Sequence, residues 1–232
     1  MANNLILCPG LLCDPALWRA QIDGLQECVS LLVADFTLDD SITAMGERVL
    51  GVAPDTFALA GLSMGGYVAQ EIVRQAPERV SHLALLDTSA RQDSETVSRR
   101  RQDLIALAGR GRFRGVTPKL MPMLVHPERL DDTALTDDIQ AMAERVGGEA
   151  FLRQQKAIQG RVDGREDLAR ITCPTLVLCG REDQLTPLDA HIEMAENIPG
   201  ADLVVLGRCG HMSAMERPDD VTTALRNWLL RT

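Results

Sequence analysis

Short apolar runs alternate with longer amphipathic stretches along most of this chain, the pattern of a parallel sheet covered by helices. Leu5-Ile6-Leu7-Cys8 predicts a strand stopped by Pro9-Gly10, and residues 15–23 predict a helix closing at Gly24. Val29 to Ala34 predicts a second strand, and a helix follows from Ser41, its N-cap, to Val52. Phe57 to Ala60 predicts a third strand that runs straight into Gly61-Leu62-Ser63-Met64-Gly65-Gly66. A helix over 64–75 should stop before Pro77, and Val80 to Leu86 predicts a fourth strand. The same rhythm returns near the end. Thr175 to Cys179 and Leu203 to Leu206 predict strands, Thr186-Pro187 a helix start with Thr186 as N-cap, and Pro218-Asp219-Asp220 the opening of a C-terminal helix.

Between Asp87 and Arg170 the rhythm breaks. Apolar residues recur there at helical spacing, as in Ile139, Met142 and Val146, with glycine breaks at Gly109-Arg110-Gly111 and Gly147-Gly148. A stretch this long is too large for a plain loop. The expected organisation is therefore a core of residues 1–88 and 171–232, with residues 89–170 inserted as a helical cap.

The candidate chemistry lies at the strand ends. Gly61-x-Ser63-x-Gly65 joins a strand to a helix, and a serine on so tight a turn has its hydroxyl lifted above the sheet edge. A serine hydroxyl is a weak nucleophile and needs a base. Of the histidines, His82 falls in a strand, His191 in a helix and His126 in the insert. His211 alone follows a strand at the edge where parallel sheets present reacting groups. The base needs an anion to hold its tautomer. Asp183, after the fifth strand, fits the chain order Ser, Asp, His, while Asp87 and Glu182 remain alternatives. Oxyanion donors are expected from the backbone N–H groups of Met64 and Leu11. Leu120, Met121, Leu124 and Met212 are candidates for an adaptable apolar pocket.

Charge narrows the partners. The formal net charge of −9 argues against nucleic acid. Residues 91–119 nevertheless hold eight basic side chains against three acidic ones, which suits either a solvated helix face or an arginine that grips a substrate carboxylate. No apolar run reaches the length of a bilayer span, and Met1-Ala2-Asn3-Asn4 supplies no basic segment ahead of the first run. A cytoplasmic protein is expected, monomeric or homodimeric. The six cysteines form no C-x-x-C pair and read as reduced thiols; neither metal nor cofactor is expected.

With these motifs in hand, the chain resembles the α/β-hydrolase superfamily: Gly61-Leu-Ser-Met-Gly-Gly66, Pro174-Thr-Leu-Val-Leu-Cys-Gly-Arg-Glu-Asp183 and Gly210-His211-Met212 carry the likeness. It is most similar to small bacterial esterases, enol-lactonases and carbon–carbon hydrolases. The resemblance implies a three-layer α/β fold and hydrolysis of a small carboxylic ester or lactone. Family members often carry His-Gly where this chain has Pro9-Gly10, and carbon–carbon hydrolases often have Asn where it has Leu62. Carbon–carbon cleavage, perhydrolase or lyase chemistry, and a ligand receptor on the same fold remain alternatives. The first strand begins too early for the superfamily's N-terminal antiparallel hairpin, so the expected sheet has six parallel strands.

Overall fold

The computed structural model describes residues 4–231, apart from the side chain of Arg112. Met1–Asn3, on which the expectation about a leader partly rests, lie outside the described residues. Six strands form one sheet: β1 (Asn4–Cys8), β2 (Ser30–Val33), β3 (Phe57–Leu62), β4 (Val80–Leu86), β5 (Thr175–Gly180) and β6 (Asp202–Leu206). Their order is β2-β1-β3-β4-β5-β6, and every pairing is parallel, as the sequence predicts. β2 lies on one side of β1 and all later strands on the other. The order therefore reverses beside β1, and loops leaving β1 and β3 open a crevice at their carboxyl ends.

Side chains alternate along the strands and so feed two cores. Leu5, Leu7, Ala58, Ala60, Leu86 and Leu178 meet Trp18, Leu25 of α1 (Arg19–Leu25) and Leu225 and Trp228 of α9 (Pro218–Leu229). Ile6, Cys8, Leu59, Leu85 and Val177 meet α2 (Ile42–Val52), α3 (Met64–Gln75) and α7 (Leu188–Asn197) on the other face. Ser41 caps α2 as expected, its Oγ accepting from Ala44 N–H at 3.1 Å. The predicted first helix is instead a 3₁₀ turn over Pro15–Trp18 followed by α1, which runs past Gly24 to Leu25.

Thr186 is not an N-cap. α7 begins at Leu188 after Pro187, with no side-chain cap, because the Thr186 hydroxyl is drawn away to Asp183. Between β4 and β5 the chain forms α4 (Glu95–Leu107), α5 (Met121–Leu124) and α6 (Thr133–Gln159), with no strand. The glycine breaks appear as a π-helical bulge over Ala108–Arg112 and a kink in α6 at Gly147, where φ is +78°. The segment between β4 and β5 does not sit apart from the sheet. Met121, Ile139 and Met142 join the first core, and Ala157 and Ile158 the second. Ala143 and Phe151 form a third cluster with Leu12, from the turn after β1.

The contact that fixes the crevice is the start of α3 against the end of β1. A β-carbon on Gly65 would lie 2.0 Å from Cys8 O, and one on Gly61 would lie 2.3 Å from Gly65 O. Gly65→Ala is therefore expected to lower unfolding free energy by about 3 kcal/mol or more. Gly51→Ala, in open space near the end of α2, should raise it by about 0.5 kcal/mol. Urea denaturation of the two variants beside the parent measures both.

Candidate active site

Ser63 stands between β3 and α3 with φ +55° and ψ −117°, a conformation that side chains rarely adopt. Three backbone contacts hold it there. Ser63 N–H donates to Leu86 O at 3.0 Å, and Ser63 O accepts from Gly66 N–H at 2.9 Å and from the Thr88 hydroxyl at 2.8 Å. Gly66 is required for the last contact, since a β-carbon there would lie 2.4 Å from Thr88 Oγ1.

From this perch Ser63 Oγ lies 2.9 Å from His211 Nε2. His211 Nδ1 lies 2.8 Å from Asp183 Oδ2. With Nδ1–H donating to the carboxylate, the Nε2 lone pair faces the serine hydroxyl. The loops after β3, β5 and β6 thus bring together three residues separated widely in sequence.

Asp183 is buried, yet it is well solvated by the protein. Oδ1 accepts from Leu185 and Thr186 N–H at 2.8 and 3.0 Å, and Oδ2 from the Thr186 hydroxyl at 2.7 Å. Burial works against its charge, but the His211 ring and these donors outweigh it and hold the carboxyl below its ordinary range. His211 is shifted the other way. Burial opposes protonation of the ring, but Asp183, with Asp87 and Glu216 behind it, raises its basicity above the ordinary value.

Of the two rival acids, neither faces the imidazole. Glu182 Oε2 accepts from Cys209 N–H at 3.0 Å. Asp87, fully buried, accepts from Gly180 N–H at 3.0 Å and from Ser213 N–H at 3.2 Å. It ties the loop that carries Asp183 to the one that carries His211. Burial and the nearby Asp183 charge push its carboxyl well up. His191, the buried histidine of α7, accepts from Thr88 N–H at 2.9 Å, and burial pushes it down to about 4, so the ring is neutral.

Glu216 was not legible from the sequence. It lies in the short helix α8 (Ser213–Glu216) and is 2% exposed. Its Oε1 accepts from Gly210 and Met212 N–H at 2.9 and 3.3 Å, on either side of His211. Its Oε2 accepts from His126 N–H of the insert at 2.7 Å. The insert also supplies Leu124 O, which accepts from His211 N–H at 2.9 Å and Met212 N–H at 3.1 Å. A carboxylate in the sequence Met215-Glu216-Arg217 gives no sign that it will turn inward.

The turn after β1 borders the serine. A β-carbon on Gly10 would lie 3.4 Å from Ser63 Cβ. Among the described residues, neither Leu11 N–H nor Met64 N–H has a protein acceptor. Of the expected pocket residues, Met121 and Met212 are each 3% exposed and packed in the first core, Leu124 lies against that core, and Leu120 is half-buried. Leu11 instead joins the third cluster, beside Phe151, Phe113 and Val146. Of the basic stretch, Arg91, Arg99 and Arg101 pair with carboxylates; the Arg112 side chain lies outside the described residues. Among the described residues no group of His, Cys, Asp and Glu is placed to hold a metal, and no helix is long and apolar enough to cross a membrane.

The pattern of the "Alpha/beta hydrolase family" matches residues 5–224. The chain belongs to the α/β-hydrolase family. A Serratia proteamaculans relative, RutD, named for carbamate hydrolysis, is 25% identical over 100% of this chain and 92% of its own. A Burkholderia vietnamiensis 2-hydroxy-6-oxononadienedioate/2-hydroxy-6-oxononatrienedioate hydrolase is 29% identical over 83% of this chain and 72% of its own. A thermophilic esterase from Thermogutta terrifontis superposes with a TM-score of 0.87, at 28% identity, over 97% of this chain and 89% of that one. These relatives act on different bonds, and together they make this α/β-hydrolase a hydrolase without naming its substrate.

Glu216→Ala strands His126 and Gly210 N–H, which have no other acceptor among the described residues. Chemical denaturation should show a loss of about 3 kcal/mol. Glu216→Gln, which keeps one acceptor oxygen, should lose less.

Proposed function

We propose that this hydrolase cleaves a small carboxylic ester or lactone through an acyl-enzyme on Ser63. One observation carries the reading: the unbroken line from Ser63 Oγ through His211 to Asp183, at 2.9 and 2.8 Å. Both distances lie within the reach needed for proton transfer and for orienting the base.

In this mechanism His211 Nε2 takes the Ser63 proton as Oγ attacks the carbonyl carbon. The imidazolium is stabilised by Asp183, whose other donors keep it ionised. The oxyanion is held by Met64 N–H, at the positive end of α3, and by Leu11 N–H. His211 then protonates the leaving alkoxide. Water then gives a proton to Nε2 as its oxygen adds to the same carbonyl, and Nε2 returns that proton to Ser63 Oγ as the Oγ–carbon bond breaks and the acid leaves. The inserted segment is read as a cap over this crevice. Its Phe113, Val146 and Phe151 would offer an apolar wall beside Leu11.

Arg101 and Arg161 share a single carboxylate, Asp93, and both are largely buried. Arg161 lies 4.3 Å over the ring of Tyr67, one helical turn beyond Ser63. This excess of positive charge supports a substrate that carries a carboxylate of its own. Carbon–carbon hydrolysis on the same three residues is the second reading, favoured by the activity for which the Burkholderia relative is named. A panel of neutral esters, lactones and carboxylated ring-cleavage products, ranked by kcat/KM, separates the two.

Ser63→Ala is expected to reduce turnover of p-nitrophenyl acetate by at least about a thousandfold while the protein stays folded. Activity within tenfold of the parent would remove Ser63 from the mechanism. The base must be neutral, so kcat/KM should fall as pH drops through the raised value of His211, above the ordinary 6.5. An acidic limb centred well below 6.5 contradicts that assignment.

A further inference from the structure

The His211 ring makes one firm contact besides Ser63, from Nδ1 to Asp183 Oδ2 at 2.8 Å. A single hydrogen bond is a pivot. A ring held there alone could swing about Nδ1 and carry Nε2 away from Ser63 Oγ, which it meets at 2.9 Å. The second fixed point has to be the backbone of residue 211. That backbone runs through an irregular loop between β6 and α8, where neither a sheet nor a helix supplies partners for its N–H groups.

The N–H groups of Gly210, His211 and Met212 are nevertheless all held. His211 N–H donates to Leu124 O at 2.9 Å, and Met212 N–H to the same oxygen at 3.1 Å. Gly210 and Met212 N–H, on either side of His211, donate to Glu216 Oε1 at 2.9 and 3.3 Å. Both acceptors lead to one place. Leu124 is the last residue of α5, and Glu216 Oε2 reaches on to His126 N–H at 2.7 Å. Gly210 lies flat against this stretch: a β-carbon on it would come 2.8 Å from Val125 C and 2.9 Å from His126 N. The His211 loop and residues 124–126 therefore meet backbone to backbone, and one buried carboxylate bridges the joint.

We propose that Glu216 is a positioning residue of the reaction, seating the His211 backbone on residues 124–126 so that Nε2 stays aimed at Ser63 Oγ. The ring then has two fixed points, Asp183 at Nδ1 and this seat at its backbone, and the direction of Nε2 follows from the two together. His211 is in register with Ser63 only while residues 124–126 are docked. This part of the segment between β4 and β5 works with the strand-end loops and not as a lid over them. The inference rests on the roles given to Ser63 and His211 above.

The test compares Glu216→Ala with Glu216→Gln. Both remove the charge, so the difference between them reads the hydrogen bonds alone. The glutamine keeps one carbonyl oxygen, which the two donors Gly210 and Met212 N–H draw to the His211 side. A reacting group misplaced by about 1 Å can cost about 100-fold, so Glu216→Ala should lose about 10–100-fold in kcat on p-nitrophenyl acetate. Its KM should stay within about threefold of the parent, and Glu216→Gln should recover most of the lost kcat. A second readout does not depend on turnover. The acceptor of His211 N–H, Leu124 O, is untouched by the substitution, yet that amide should exchange faster with solvent in Glu216→Ala, measured against the amides of β3 and β4. Gly210→Ala strains the same joint from its other side and should repeat the kcat loss at constant KM; it takes the place of Glu216→Ala where that variant does not fold. A folded Glu216→Ala with kcat within about threefold of the parent, a loss confined to KM, a glutamine no better than the alanine, unchanged His211 exchange, or a Gly210→Ala of full kcat each overturns the proposal. Full turnover by Ser63→Ala would instead overturn the reading beneath it.

Discussion

The close approach of α3 to β1 is the constraint on which the rest of the site depends. Gly65 lies so near Cys8 O that no β-carbon fits. That contact sets the N-terminus of α3 beside the turn after β1. Ser63, at the joint, is forced into positive φ, with its hydroxyl directed out of the sheet. The same contact brings Gly10 against Ser63 Cβ. Ser63, the helix terminus and the turn after β1 are thus placed by one steric fact. What remains is to bring His211 and Asp183 to the same point.

Buried carboxylates perform that second task. Asp183, Asp87 and Glu216 each accept backbone N–H groups from loops that would otherwise lack a fixed shape. Asp87 joins the Asp183 loop to the His211 loop, and Glu216 joins the His211 loop to the segment between β4 and β5. The charge on Asp183 is tolerable because each of its oxygens is hydrogen-bonded, while burial pushes the carboxyls of Asp87 and Glu216 up. The Asp183 charge also favours the imidazolium that the proposed reaction generates.

Much of this was legible in the sequence because it rests on local patterns. Strand periodicity, the glycine-flanked serine and the loop positions of Asp183 and His211 each carry a short-range signature. The six parallel strands follow from them, and so does the order of the three residues. Long-range polar partners left no such trace. Thr186 has the sequence context of a helix cap, yet its hydroxyl serves Asp183. Gln154 and Glu216 are polar residues on amphipathic helices, and only tertiary packing shows that they point inward. Pocket residues were the least legible. Methionines at helical spacing read equally as pocket or core, and Met121 and Met212 pack as core.

The most direct measurement is reaction with a fluorophosphonate followed by peptide mapping of the adduct. The phosphorus accepts Ser63 Oγ and releases fluoride, and the tetrahedral product occupies the oxyanion site. A single adduct on the peptide containing Ser63, formed only in the folded protein, is the predicted result. A modified residue elsewhere, or no adduct under conditions where the protein is active, would contradict the account.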